Sequence, residues 1–157
     1  MQFYRERLWP SPWAFVSTSL VIPASLLVFL PINFTVGVIT AIILYGGCIV
    51  LLLSTSPRVS VTASHLVAGR ARLPVALTGP AESFNGEDAR IQRGQQLDSR
   101  AWLVIRGWID PVVKIPNLDA ADPAPYWLVS SRRPKALAAA VAEARTAGER
   151  PEVIEKT

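Results

Sequence analysis

Residues 8–57 read LWPSPWAFVSTSLVIPASLLVFLPINFTVGVITAIILYGGCIVLLLSTSP, a run of fifty residues without one Asp, Glu, Lys, Arg or His. A helix needs roughly 17 to 25 apolar residues to cross a bilayer, so this run is too long for one crossing and suits two. Pro31 and Asn33 fall near its middle and favour a turn. The run therefore predicts a membrane anchor over residues 1–57, with spans at residues 13–30 and 34–53.

The residues before the run combine cations with aromatic rings. Arg5 and Arg7 precede Trp9 and Trp13, and such residues are typical of a membrane interface with the cations on the cytoplasmic side. Because two crossings return the chain to the same side, we expect a multi-pass protein of the plasma (inner) membrane with both termini cytoplasmic. A signal peptide cleaved near Pro23 is the alternative, and the long continuation of the apolar run disfavours it.

Within the spans, Pro23 predicts a kink because proline lacks the amide donor that a helix interior needs. Gly37 and Ala41 lie four residues apart and predict close packing inside the hairpin, with a seam between two copies as the alternative. Neither span carries an ionisable Asp, Glu, Lys, Arg or His, which argues against an ion pathway. The one cysteine, Cys48, lies in the second span, so no intrachain disulfide is possible.

After Pro57 the pattern changes to short polar-apolar alternation, which is typical of strands. It predicts strands at residues 58–62, 66–69, 73–77, 101–106, 109–115 and 126–130, a long polar connection over residues 82–100 with a helical turn at residues 86–92, and a helix from Pro134 to about Gly148. The predicted fold class is an α+β membrane protein. A transmembrane helical hairpin precedes a small antiparallel β domain over residues 58–147 and a tail over residues 148–157. Short strands followed by a C-terminal helix resemble the element order of pleckstrin-homology-like (PH-like) domains.

Two local motifs carry a sharper resemblance. They are YRERL at residues 4–8 and DPAPYWLVSSRRP at residues 122–134. Together they resemble a family of small actinobacterial membrane proteins of unknown function, of an alanine-rich transmembrane type, over about residues 4–144. The resemblance implies a two-helix protein with a soluble C-terminal domain and brings no activity, cofactor or catalytic residue. The family's pattern falls on Asp122, Pro123, Pro125, Tyr126, Trp127, Ser130, Arg132 and Pro134.

The residues that most catalytic and metal sites require are scarce. The chain has one histidine, His65, and one cysteine, which leaves no set of nucleophile and base and too few ligands for a metal site. We therefore expect no catalytic residues, no metal and no cofactor. From residue 58 onwards 14 Lys or Arg are interspersed with 11 Asp or Glu, which disfavours nucleic acid and fits anionic lipid headgroups better.

The candidate binding surface combines two pairs of arginines with the motif before the final helix. Arg132 and Arg133 stand at a strand-to-helix junction, where an anion is favoured, and an arginine bound to Asp119 or Asp122 is the structural alternative. The residues predicted to bind an anion or a partner are Arg70, Arg72, Asp122, Tyr126, Trp127, Arg132 and Arg133.

These observations predict a non-catalytic integral membrane protein. Its cytoplasmic PH-like domain would bind a protein partner or anionic lipid, with the bilayer itself and a further copy of the chain as other possible partners. A membrane-bound enzyme that acts on a lipid-linked substrate through Asp119 or Asp122, and a subunit of an oligomeric membrane complex, are the alternatives.

Overall fold

The computed structural model describes residues 2–149. Contacts between residues divide this part of the chain into two compact units. The apolar unit comprises residues 9–56, and the mixed unit combines residues 2–8 with the residues from 57 onwards. The N-terminal residues, which the sequence assigns to the anchor, therefore pack with the residues that follow the hairpin.

The apolar unit contains three helices, α1 (Pro12–Ser19), α2 (Val21–Phe29) and α3 (Phe34–Ser54). The break between α1 and α2 falls at Leu20, three residues before Pro23, because the proline ring clashes with the carbonyl one turn earlier. Asn33 starts α3, and its Oδ1 accepts a hydrogen bond from Thr35 N at 2.9 Å. The helices of residues 12–29 and 34–54 are long and apolar enough to cross a membrane.

The hairpin packs through the small residues that the sequence singles out. Gly37 and Ala41 are the buried residues of α3. A Cβ on Gly37 would lie 3.1 Å from Phe29 Cβ, so a larger residue would push α2 and α3 apart. Only 6% and 11% of the two apolar stretches are buried, whereas the core helix of a soluble protein is mostly buried.

The first sheet of the mixed unit is an antiparallel meander of β1 (Gln2–Arg7), β2 (Arg58–Thr62), β3 (His65–Ala68) and β4 (Ala71–Pro74). Tyr4 pairs with Val61 and Arg7 with Arg58, and Leu8 N donates to Pro57 O at 3.0 Å. The strand β1, which the sequence interpretation missed, is thus joined to a strand that follows the hairpin.

The second sheet contains β5 (Glu82–Phe84), β6 (Trp102–Val104), β7 (Val112–Pro116) and β8 (Tyr126–Ser130) in the order β5-β7-β8-β6. A 3-10 turn (Val75–Leu77) replaces the end of the strand predicted at residues 73–77. The helix α4 (Gly86–Arg93) falls where a helical turn was predicted, but β5 lies in the predicted connection. The pair β6 and β8 is parallel, a departure from the purely antiparallel expectation.

Two apolar clusters hold the mixed unit together. The main core collects inward side chains of both sheets and of α5 (Pro134–Glu149), among them Val61, Val113 and Leu137. A smaller cluster on the other face of the second sheet contains Leu128 and Ala89 of α4. All five residues of β8 are buried because both faces of this strand are covered.

Candidate functional site

The outward face of the first sheet is strongly basic. In β1 the buried Tyr4 and Glu6 alternate with Arg5 and Arg7, so the two arginines share the other face. The same face carries Arg58 of β2 and Arg72 of β4, while Arg70 lies in the turn between β3 and β4. We call these five residues, Arg5, Arg7, Arg58, Arg70 and Arg72, the outer arginine face.

Four side chains of the outer arginine face remain available to a ligand. Arg5, Arg58, Arg70 and Arg72 are exposed and make no side-chain hydrogen bond or ion pair within residues 2–149. The four strands contain one acidic residue, Glu6, and its side chain points inwards. Arg7 stands directly opposite Arg58, a placement of like charges that destabilises a sheet. Arg5, Arg58, Arg70 and Arg72 therefore concentrate exposed positive charge on and beside this face.

A glycine shapes the turn that carries Arg70. Gly69 adopts a φ of 67°, the left-handed region that glycine tolerates without strain. Its N–H donates to Arg58 O at 3.0 Å. Arg70 therefore follows a turn fixed against β2, at the end of the sheet from which Arg7 and Arg58 connect to residues 9–56. We call this end, formed by Arg7, Arg58 and Gly69, the linker end.

The second arginine pair belongs to a different arrangement, centred on Glu6. The carboxylate Oε2 of Glu6 accepts hydrogen bonds from the Tyr4 hydroxyl at 2.6 Å and from Ser131 Oγ at 2.7 Å. Its Oε1 accepts from Arg132 N at 3.0 Å and lies 3.9 Å from Arg132 Nη1. The guanidinium of Arg133 lies over the Tyr4 ring, 5.4 Å from its centroid. We call Tyr4, Glu6, Ser131, Arg132 and Arg133 the Glu6 junction.

Tyr4, Glu6 and Ser131 form the buried part of the Glu6 junction, and burial changes the chemistry of the Tyr4 phenol. Glu6 is 9% exposed and Ser131 is fully buried. Burial, followed by the hydrogen bond to Glu6, raises the pKa of the Tyr4 phenol above its ordinary value of 10.0. The phenol therefore stays neutral and donates to the carboxylate. The junction ties β1 to the strand-to-helix connection between β8 and α5.

An internal carboxylate thus lies where the sequence predicts a bound anion. Arg132 contacts Glu6, and the alternative partners Asp119 and Asp122 are engaged elsewhere. Ala121 N donates to Asp119 Oδ1, and Ala124 N to Asp122 Oδ1, both at 2.9 Å. The idea that an arginine locks this loop is therefore wrong.

The loop at residues 117–125 is fixed by an amide instead. The Nδ2 of Asn117 donates to Asp122 Oδ2 at 2.9 Å and to Ala124 O at 3.0 Å. Asp122 is half-buried. Its role in the structure is to shape the turn, and neither Asp119 nor Asp122 lines the cavities of about 330 Å³ and 190 Å³ found in the two units.

Tyr126 and Trp127 contribute to the interior. The Tyr126 hydroxyl accepts from Asp98 N at 2.8 Å and donates to Gln96 O at 3.2 Å. Lys114 Nζ lies 4.5 Å from the centroid of the Tyr126 ring. Trp127 is 2% exposed and belongs to the main core. As both are buried, neither extends the arginine surface with which the sequence groups them.

The four residues predicted at the membrane interface fall in different elements. Arg5 and Arg7 belong to β1, whereas Trp9 precedes α1 and Trp13 lies within it. Trp9 and Trp13 are 47% and 72% exposed. The sequence interpretation missed Glu6 and Ser131, although the alternation in QFYRER indicates a strand with Tyr4 and Glu6 on one face.

Within residues 2–149, no group of three or more His, Cys, Asp or Glu side chains is placed to hold a metal ion. No curated protein and no solved structure matches the chain. The family model described as "Protein of unknown function (DUF3093)" matches residues 3–141. This match includes residues 3–7 of β1, both apolar stretches and the first half of α5, and the chain therefore belongs to the DUF3093 family.

Proposed function

We propose that the chain is an integral membrane protein with two spans, and that its mixed unit binds anionic lipid headgroups through the outer arginine face. The single observation that carries the proposal is this face, where exposed arginines without acidic partners share one side of a sheet. Each cation near an anionic surface contributes about 1 kcal/mol to binding. In this proposal the protein acts as a binding module and performs no catalysis.

Strand pairing supports an even number of crossings. The strand β1 precedes the apolar unit, and its partner β2 follows that unit. Both strands must lie on the same side of a bilayer to pair, so a single crossing between them is incompatible with the first sheet. The cations beside the apolar stretches favour the cytoplasmic side, and we propose a multi-pass topology with both termini there.

Short connections favour lipid over a soluble partner. Residues 8–11 separate β1 from α1, and residues 55–57 separate α3 from β2. If the apolar helices span the membrane, connections this short tether the mixed unit to the same bilayer. A ligand in the same membrane is therefore present at a high effective concentration.

The PH-like comparison remains part of this proposal. Helix α5 follows the last strand and packs into the main core with both sheets, as the element order suggests. The comparison concerns the order of elements, and the parallel pair β6 and β8 departs from the antiparallel meander that this order suggests.

The lipid proposal is tested on the full chain in nanodiscs of phosphatidylcholine, with or without phosphatidylglycerol. A spin-labelled headgroup should broaden the amide signal of Gly69 more strongly when phosphatidylglycerol is present. The double variant Arg70→Glu and Arg72→Glu should abolish this difference. A matched double variant, Arg90→Glu and Arg100→Glu, changes the net charge equally outside the outer arginine face and should retain it. A wild-type chain that shows no dependence on lipid composition would contradict headgroup binding.

The topology is tested separately with cysteine labels. Gln2 and Gln95 are exposed and flank the two apolar stretches. In a Cys48→Ala background, Gln2→Cys and Gln95→Cys should both react with an impermeant maleimide from the cytoplasmic side only. Reaction from opposite sides would refute the two-span arrangement.

A further inference from the structure

The edge strand β6 lies beside the linker end. Trp102 Nε1 donates to Ala68 O at 3.4 Å. A Cβ on Gly69 would lie 3.6 Å from Val104 Cγ2 and 3.9 Å from Pro57 Cβ. Strand β6 therefore contacts the turn at Gly69, which precedes Arg70. It also lies close to Pro57, the first residue of the mixed unit after the apolar unit.

This strand exposes two large apolar side chains, whereas the mixed unit buries most of its others. Among the described residues of the mixed unit, three large apolar side chains are exposed: Trp102 at 39%, Leu103 at 42% and Leu118 at 59%. Two of them are consecutive in the edge strand β6 and point to opposite faces of its sheet, so they flank the free edge of the strand. The Trp102 ring packs against that of Trp127, with 6.1 Å between centroids, so the strand holds it at a fixed position.

We propose that Trp102 and Leu103 form a membrane-contact site that enters the headgroup region of the bilayer. This inference rests on the proposed membrane attachment and adds an apolar contact to the electrostatic one. Indole rings favour the headgroup level, and apolar residues beside cations are the combination by which proteins lie on anionic membranes. The backbone of β6 stays at that level, where water still reaches it, because an open sheet edge is not stable in hydrocarbon.

A bilayer fits this site better than a soluble protein does. Trp102 and Val104 adjoin the linker end, Leu103 lies between them on the other face of the strand, and Arg70 follows Gly69 in the adjacent turn. The same short connections that raise the effective concentration of lipid at the outer arginine face also raise it here. The site and the outer arginine face therefore share one ligand, the surface of the membrane that holds the chain.

The test uses nitroxide labels on the full chain in proteoliposomes of phosphatidylcholine and phosphatidylglycerol. In a Cys48→Ala background, Leu103→Cys is compared with Leu118→Cys. Leu118 is the more exposed of the two side chains. Its N–H donates to Leu77 O, which follows the end of β4 that lies away from the linker end, so Leu118 serves as the control outside the proposed site. The ratio of collisions with oxygen to collisions with a water-soluble nickel chelate reports depth in the membrane.

We expect a ratio several-fold higher at residue 103 than at residue 118. Equal ratios in a chain that resists alkaline extraction would overturn this inference and leave the proposed membrane attachment standing. Release of the chain by alkali would contradict the proposed attachment and this inference together. The two failures are therefore distinguishable in one sample.

Discussion

Arg70 and Arg132 are the same residue type in very different settings. Arg70 is exposed on a sheet whose only acid points inwards, and it has no side-chain partner within residues 2–149. The backbone N–H and the guanidinium of Arg132 both face Glu6, a carboxylate from the other end of the chain. Arg132 therefore stabilises the fold through the Glu6 junction, whereas Arg70 remains available to bind a ligand.

The largest effect is expected at Glu6. The change Glu6→Ala leaves the Tyr4 and Ser131 hydroxyls and the Arg132 N–H without their buried acceptor. Breaking such a network by removing one partner costs about 3 kcal/mol. The free energy of opening of β1 and β8, measured by hydrogen exchange of the full chain in nanodiscs, should fall by this amount.

Two variants show whether the effect belongs to the junction. Glu6→Gln keeps an acceptor of similar shape and should cost about 1 kcal/mol. Glu143→Ala removes a carboxylate from an exposed position on α5 and should change the opening free energy by less than about 0.5 kcal/mol. Equal losses for Glu6→Ala and Glu143→Ala would mean that the junction does not stabilise the mixed unit.

The sequence predicted local structure better than it predicted which distant segments meet. The uncharged run and Asn33 gave the hairpin, and the pattern YWLVS gave β8 with its bounds. The partner of Glu6 lies 125 residues away at Ser131, and a hydrogen bond between such distant residues leaves no mark on local spacing. QFYRER alternates like a strand, but the neighbouring apolar run favoured interpreting its arginines as membrane flanks.

The outer arginine face also depends on which distant segments meet, and the sequence did not predict it. Along the chain both signs of charge alternate, which indicates only a mildly basic protein. Folding separates them, because β1 and β4 bring Arg5 and Arg72 to one side of a sheet while Glu87 and Asp88 lie on α4 at the second sheet. Sheet order decides which charges share a face, and sequence spacing does not give that order.

A smaller effect, with a pH dependence, is expected at Tyr4. Its phenol has a raised pKa in the folded chain, chiefly through burial, whereas the unfolded chain releases this proton near pH 10.0. As pH rises above that value, the unfolded state loses protons that the folded state retains, and stability falls. Tyr4→Phe should cost about 1 kcal/mol at neutral pH and make the alkaline fall shallower.

Chemical unfolding of the full chain in nanodiscs, followed across the alkaline range, measures this difference. An unchanged alkaline slope in Tyr4→Phe would show that the Tyr4 phenol is not the group responsible.

The smallest effects distinguish the two settings most directly. Arg70→Gln should weaken headgroup contact by about 1 kcal/mol and leave the opening free energy unchanged, because among residues 2–149 its side chain has no partner. Arg132→Gln should lower the opening free energy by at most about 1 kcal/mol, since the side chain is 43% exposed and its Nη1 lies 3.9 Å from Glu6 Oε1. Its effect on headgroup contact should be smaller than that of Arg70→Gln.

Hydrogen exchange gives the opening free energy of each variant, and lipid-dependent broadening of the Gly69 signal gives its headgroup contact. The same pattern of losses in both variants would mean that the two arginines act alike, and the distinction between the junction and the outer face would fail.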